Sequence, residues 1–251
     1  MNNLLISIIC PVYNASHFVT ETIHSVMNQT YINWELILVD DGSTDESVNV
    51  IKEVTKEDKR IILVCHAQNK GMAEARNSGT RVAKGNYISF IDSDDLWDSA
   101  KLEIQLQHML KNNCLLSHTA YRKIDEAGNT LVKLIPVSSS VSYKSLLKHN
   151  EIGLSTSMYN VDVLGKRFVS TIGWADFSLW LDILKDTPVS CGIKQPLMSY
   201  RIHQNSSSYN KFKSAQKTWE VYRHIEKLPL INSMYYFIFY AVNSSIKYLR
   251  K

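Results

Sequence analysis

Tyr87-Ile88-Ser89-Phe90-Ile91-Asp92-Ser93-Asp94-Asp95 runs from an apolar stretch straight into a cluster of carboxylates. A short apolar run bounded by turn residues suits a buried strand. A strand that stops in carboxylates can hold a divalent cation at the edge of a sheet. Ligand sets made only of oxygen suit Mg2+ or Mn2+ better than zinc, and such ions commonly complete their shells with water and substrate phosphates. The stretch therefore predicts a nucleotide-diphosphate site on an α/β sheet. The competing reading is that Asp92, Asp94 and Asp95 cap the following helix, although a cap needs only one of them.

Outward from this stretch the pattern repeats. Leu4 to Cys10 reads as a buried strand closed by Pro11, and Phe18 to Met27 has helical apolar spacing. Glu35 to Val39 is a second strand ending in Asp40-Asp41, and Ser43-x-x-Glu46 matches a capping box for the next helix. Ile61 to Val64 reads as a third strand, and Met72 to Ala83 as a helix stopped by Gly85. Strand-helix alternation implies a mostly parallel sheet covered by helices. Ligands of such sheets bind beyond the carboxyl ends of the strands. The loops Pro11 to Asn14, Asp40 to Asp45 and Asp92 to Asp95 all fall there. The second half is less regular. Helices are expected over 101–111, 142–149 and 175–185, a strand over 115–121, and a turn at Asp125 to Asn129 around Gly128.

The chain has 251 residues, 45% hydrophobic and 21% charged, an ordinary globular composition. Cys10, Cys65, Cys114 and Cys191 form no CxxC pair, so the expectation is reduced thiols, without zinc or a disulfide. Met1-Asn2-Asn3 lacks the basic flank of a secretory signal, and no apolar run reaches the roughly 20 residues that span a bilayer. The formal charge of +4 is unevenly placed. From residue 211 onward, Lys211, Lys213, Lys217, Arg223, Lys227, Lys247, Arg250 and Lys251 face only Glu220 and Glu226, a net +6 that leaves −2 elsewhere. That tail interleaves aromatic residues and contains Met234 to Val242, an uncharged stretch. It suits either a segment lying on an anionic membrane or one packed on the body, with RNA binding a weaker third option.

Four strings resemble family-2 glycosyltransferases of the GT-A fold: Ile8 to Asn14, Leu38 to Asp45, Asn69-Lys70-Gly71 with Ala75-Arg76-Asn77, and Phe90 to Asp95. In the second half, Trp174-Ala175-Asp176 and Ser199-Tyr200-Arg201-Ile202-His203 resemble bacterial enzymes that build capsule, teichuronic acid or lipopolysaccharide chains. The resemblance implies a Rossmann-like sheet divided at 1–98 for the nucleotide sugar and 99–209 for the acceptor, with a helical basic-aromatic appendage at 210–251.

The resemblance also implies roles. Asp94 binds Mn2+ or Mg2+, and Asp92 binds the metal or the donor ribose. Asp40 contacts a uracil ring, with a simple turn as the alternative, while Asp41 orients the loop. Pro11, Tyr13 and Asn14 form the nucleotide wall, or Tyr13 packs in the core. Arg76 meets a phosphate or the acidic cluster, or is a plain surface pair. Asp176 is the general base or a helix cap, Trp174 offers a sugar ring a flat face, and Asp182 is held in reserve. His203 reaches the diphosphate from a loop that includes Ser206-Ser207-Ser208, or is structural. His66 and His149 have no motif.

Together these imply a metal-dependent, inverting transferase that takes a UDP-hexose or UDP-N-acetylhexosamine and acts on a lipid-linked or growing surface polysaccharide. Its expected place is cytoplasmic, peripheral at the inner membrane face, with no nucleic-acid partner. Transfer to polyprenyl phosphate and non-catalytic sugar-nucleotide or glycan binding are the alternatives. No Gln-x-x-Arg-Trp string marks a processive synthase, and no GxGxxG follows the first strand to suggest a dehydrogenase.

Overall fold

The computed structural model describes residues 4–203 and 211–249. Met1-Asn2-Asn3, the Ser206-Ser207-Ser208 run, the side chains of Lys211, Phe212 and Lys247, and Arg250 and Lys251 lie outside the described residues. In chain order the elements are β1 (Ile6–Val12), α1 (Val19–Met27), β2 (Trp34–Asp40), α2 (Ser47–Val54), β3 (Ile61–Cys65), α3 (Met72–Val82), β4 (Tyr87–Phe90) and β5 (Leu96–Trp97). They continue with α4 (Lys101–Asn112), β6 (Leu116–Ile124), β7 (Thr130–Ile135), β8 (Ser140–Val141), α5 (Tyr143–Lys148), β9 (Met158–Asn160), α6 (Val161–Leu164), α7 (Ala175–Asp186), β10 (Ser190–Arg201), α8 (Lys211–Glu220) and α9 (Leu230–Leu249).

One sheet runs through the molecule in the order β3-β2-β1-β4-β9-β6-β10-β5, with β7 on β6 and β8 on β10. The first four strands are parallel, and every residue of β1 and β2 is buried, as interior strands covered on both faces require. Alternation sends Ile8, Cys10, Leu36 and Leu38 against Ile23 of α1 and Leu106 of α4. Ile9, Ile37, Val39 and Phe90 go to the other side, with Ala75 of α3 and Trp180 of α7. Helix α3 crosses β1 so closely that a Cβ on Gly79 would stand 2.6 Å from Ile9 Cγ2. Beyond β4 the sheet becomes mixed: β9 is antiparallel to both β4 and β6, and β10 is parallel to β6.

Several local expectations are corrected. Strand β1 does not close at Pro11 but continues to Val12. Its pairing with β4 ends at Ile9 and Phe90, so beyond that point proline's missing N–H costs no ladder bond on that side. Ser43 and Glu46 form no capping box. Helix α2 starts at Ser47, whose N–H and hydroxyl both donate to Asp45 Oδ1, while Ser43 serves the neighbouring loop. Gly85 is not a left-handed cap: a Cβ there would lie 2.6 Å from the Ser7 amide nitrogen. The capping box falls instead at Ser142 and Ser145, where α5 begins.

The cysteine expectation also fails. Cys114 and Cys191 are joined in a disulfide with Cα atoms 6.2 Å apart, although 77 residues separate them in sequence. The pairing of β6 with β10 sets Cys191 opposite Ser117, which brings the two cysteines together.

The tail packs on the body through one side only. Val221 and Tyr222, in a π-helical turn (Val221–Ile225), are fully buried, and the Tyr222 hydroxyl donates to Leu147 O at 2.6 Å. Tyr236 and Phe237 of α9 lie against the core, while Ile231, Met234, Tyr235, Ile238 and Val242 are exposed. Among the described residues no helix is long and apolar enough to cross a membrane.

Candidate active site

Strands β2, β1 and β4 are neighbours, so their carboxyl-end loops form one continuous edge. The first two loops are stitched together. Asn14, at φ +48°, takes the Thr44 N–H on Oδ1 (2.8 Å) and donates its own N–H to Ser43 Oγ (2.9 Å). Asparagine is among the few residues that tolerate this backbone region. Tyr13 beside it is 45% exposed, which removes the core-packing alternative.

Asp40 is buried at the end of β2. Its Oδ2 accepts the Ser43 N–H at 3.1 Å, whereas Oδ1 has no hydrogen-bond partner among the described residues. Buried polar atoms normally have partners, so this oxygen marks a place for a donor group. Asp41 does orient its loop: Oδ1 accepts from Lys70 N (2.9 Å) and His66 Nδ1 (2.7 Å), and Oδ2 from Gly71 N (2.7 Å). An ionised carboxylate only accepts, so His66 Nδ1 is the donor to Asp41, and Nε2 lies 2.9 Å from Ser78 Oγ.

The β4 loop is held from every side. Arg76, buried on α3, donates to Asp92 Oδ1 at 2.6 Å, so it is not a plain surface pair. The Asp92 N–H donates to Ser155 Oγ (3.0 Å), and Thr22 Oγ1 lies 2.9 Å from both Ser93 O and Asp95 O. His203 Nε2 donates to Asp94 Oδ2 at 2.8 Å. None of the three carboxylates caps α4, which begins six residues beyond Asp95 with Ala100 as its cap. Burial raises the Asp94 carboxyl pKa and the charge of Asp92 adds to this, while His203 opposes it. Asp95 is pushed well up by burial and by both neighbouring carboxylates, against hydrogen bonds from Ser155 and the Arg201 N–H.

Arg201, at the end of β10, is fully buried and was noted in the sequence only as part of a string. Its guanidinium donates to Asp94 O (2.9 Å), Glu126 O (2.6 Å) and Glu21 Oε2 (2.7 Å).

Asp176 lies in the first turn of α7. Its Oδ2 accepts from Asn150 Nδ2 (2.9 Å) and its Oδ1 from the Phe177 N–H (2.7 Å). Trp174 holds the cap position without a side-chain cap bond. Burial raises the Asp176 pKa. The two hydrogen bonds and the positive charge of Arg76 draw it down, and the charge of Asp92 pushes it up. Asp176 therefore shares an electrostatic environment with the β4 loop, although α7 is remote in sequence. Asp182 instead pairs with Arg167 at 3.0 Å, outside this group. Trp174 is not an open platform: the Lys217 ammonium sits 4.6 Å from its ring centroid and its Nε1 donates to Ser214 O. Sequence reasoning missed His66, Asn150 and Ser155, and for His66 the one available signal was its place just past the end of β3.

The chain matches the family described as Glycosyl transferase family 2 over residues 7–169. TuaG of Bacillus subtilis (strain 168), which carries the name of a teichuronic acid biosynthesis glycosyltransferase, is 39% identical over 246 residues, covering 98% of each chain. WfgD of Escherichia coli, a UDP-Glc:alpha-D-GlcNAc-diphosphoundecaprenol beta-1,3-glucosyltransferase, is 38% identical over 245 residues, 96% of this chain and 94% of that one. S. aureus TarS 1–349 in complex with UDP-GlcNAc superposes with a TM-score of 0.72 at 15% identity, over 95% of this chain and 72% of that one. The mannosyltransferase PcManGT of Pyrobaculum calidifontis, in complex with GDP-Man and Mn2+, gives 0.67 at 16% identity, over 92% of this chain and 69% of that one. The sheet with its flanking helices is thus the GT-A arrangement expected from the sequence, and the chain belongs to glycosyl transferase family 2 and is a glycosyltransferase.

Proposed function

We propose that the enzyme transfers a hexose or N-acetylhexosamine from a UDP-sugar, with inversion, to a hydroxyl of a lipid-linked saccharide in surface-polysaccharide synthesis. The observation that carries this is the pair of Asp92 on the β4 loop with Arg76 of α3: both charges act on Asp176 at the start of α7, and that of Asp92 acts on Asp94 as well. The Asp40 Oδ1, without a partner among the described residues, suits a uracil ring N–H, and the exposed Tyr13 and Asn14, following the buried Pro11, form a wall for the base. The names of WfgD and of the TarS complex point to the same donor class.

Asp92 and Asp94 offer only carboxylate oxygens, a donor set that fits Mn2+ or Mg2+. When bound there, such an ion supplies Lewis-acid neutralisation of the leaving diphosphate. Arg76 and His203 stand beside these carboxylates to meet the donor phosphates. Asp176 takes the proton of the acceptor hydroxyl as that oxygen bonds to the anomeric carbon. The bond from carbon to phosphate oxygen breaks on the opposite face, and its electron pair leaves with UDP.

In this reading residues 1–98 bind the donor, 99–209 the acceptor, and the tail from 210 meets the cytoplasmic face of the membrane through the exposed side of α9. Replacing Ile231, Ile238 and Val242 with serine is expected to end flotation with anionic liposomes; unchanged flotation refutes that placement. The donor assignment is tested by thermal shift with Mn2+. UDP raises the melting temperature of the parent and not of Asp94→Ala. Stabilisation by GDP but not UDP, or an undiminished response in Asp94→Ala, overturns it.

A further inference from the structure

His108 on α4, Cys114 at the start of the α4–β6 connection and Cys191 on β10 each offer one ligand atom, and these atoms all lie within 4.8 Å of one another. Two sulfurs and an imidazole nitrogen form a different class of donor from the carboxylates of the β4 loop. Thiolate and imidazole select zinc over magnesium or manganese. The group sits at the surface: Cys114 is 7% exposed, and His108 and Cys191 are half-buried, so solutes can reach it.

We propose that Cys114, Cys191 and His108 form a second metal site, one that takes Zn2+ when the Cys114–Cys191 disulfide is reduced. Two electrons and two protons from a thiol reductant convert the S–S bond into two thiols. Cation binding then displaces those two protons, because the thiolate is the ligand. The Cα separation of 6.2 Å sets both side chains on one spot whichever state they occupy. Three protein ligands leave a fourth tetrahedral position for water. The ion would tie the end of α4 to the first residues of β10, whose last residue, Arg201, donates its N–H to Asp95 Oδ1 at 3.2 Å. The site is independent of the donor-binding proposal.

The test uses the full chain, reduced with a phosphine, freed of reductant without air, and titrated with Co2+ and then Zn2+. One Co2+ per chain is expected to give thiolate-to-cobalt charge-transfer absorption that Zn2+ bleaches. Co2+ on the carboxylates of the β4 loop gives no such band, so the two sites are read separately. Cys191→Ser is expected to lose the band, and His108→Gln, at a half-buried position, to weaken Co2+ binding by at least about tenfold. The oxidised parent, whose sulfurs are occupied by each other, is expected to show no band. Should a cysteine variant fail to fold, the oxidised parent and His108→Gln carry the comparison. Absence of the band in the reduced parent, or unchanged affinity in His108→Gln, overturns the proposal.

Discussion

Replacing Asp41 with asparagine probes the anchor of the loop beyond β3. The Asp41 side chain is 2% exposed and takes three donors: His66 Nδ1, Lys70 N and Gly71 N. In Asp41→Asn one oxygen becomes an NH2 group that cannot accept. If the retained oxygen faces His66 and Lys70, the Gly71 N–H meets a donor; the opposite orientation strands two donors. A lost charge-assisted bond is worth about 1.5–3 kcal/mol, and a stranded buried donor costs about 1–3 kcal/mol. The two overlap, so the expected loss is about 3 kcal/mol. For a chain of this size each kcal/mol lowers the melting temperature by about 2–4 °C, which gives a drop of about 6–12 °C. Calorimetry measures the drop, and hydrogen exchange at the Gly71 amide locates it. A melting temperature within about 2 °C of the parent, with Gly71 exchange unchanged, would refute the assignment of Asp41 as the anchor of this loop.

Asp176→Asn is expected to leave UDP affinity intact and to lower kcat by about 10²–10⁴-fold, as loss of a general base does. Because burial raises the Asp176 pKa and a base must be ionised, parent kcat falls with decreasing pH at a higher pH than an ordinary carboxylate would give; an acid limb at the ordinary position contradicts this. Lys101 is fully buried, with Nζ 2.8 Å from Gln105 Oε1 and 3.9 Å from the Trp97 ring centroid, and burial lowers its pKa well below the usual value. Between that lowered value and about 10.4 the unfolded chain holds a proton that the folded chain does not, so parent stability rises by up to about 1.4 kcal/mol per pH unit. Lys101→Met is expected to flatten that rise and to gain on the order of 1–4 kcal/mol at neutral pH, less about 1 kcal/mol for the bond to Gln105; denaturant titrations at pH 7 and 10 that show equal slopes for the two proteins exclude it.

The first half of the chain was legible because its signals are local. Each strand there is a mostly apolar run, each loop beyond it is polar, and right-handed parallel connections leave one edge for those loops to share. The second half hid its strands. β5 has two residues and β9 three, too short for any period to register. β10 is twelve residues long but carries Gly192 and Pro196, and its register with β6 shifts on both sides of Pro196. A proline inside an apolar run argues against a strand, and here the bulge absorbs it. The Cys114–Cys191 pair was invisible for the same reason, since only the β6–β10 pairing brings the two together. His66 and Asn150 act through contacts with Asp41 and Asp176, and no spacing rule connects them.

The placing of the buried arginines explains how an acidic loop is kept ready. Asp92, Asp94 and Asp95 repel one another, and burial strengthens that repulsion. Arg76 answers it from the α3 side through a carboxylate. Arg201 answers it from the β10 side through backbone, donating to Asp94 O while its own N–H holds Asp95 Oδ1. The division has a consequence. Arg201 adds positive charge and fixes the loop without occupying the Asp94 carboxylate, whose Oδ2 is held by His203 from the residues just after β10. Its remaining donors go to Glu126 O and to Glu21 of α1, so the loop's position depends on the packing of three separate elements. A planar guanidinium spreads Nε, Nη1 and Nη2 far enough apart to reach all of these at once, whereas a lysine ammonium gathers its donors on one nitrogen. The Asp94 carboxylate, one of the two proposed to meet the donor's cation, is thus left to an exchangeable partner, while backbone bonds fix the loop that carries it.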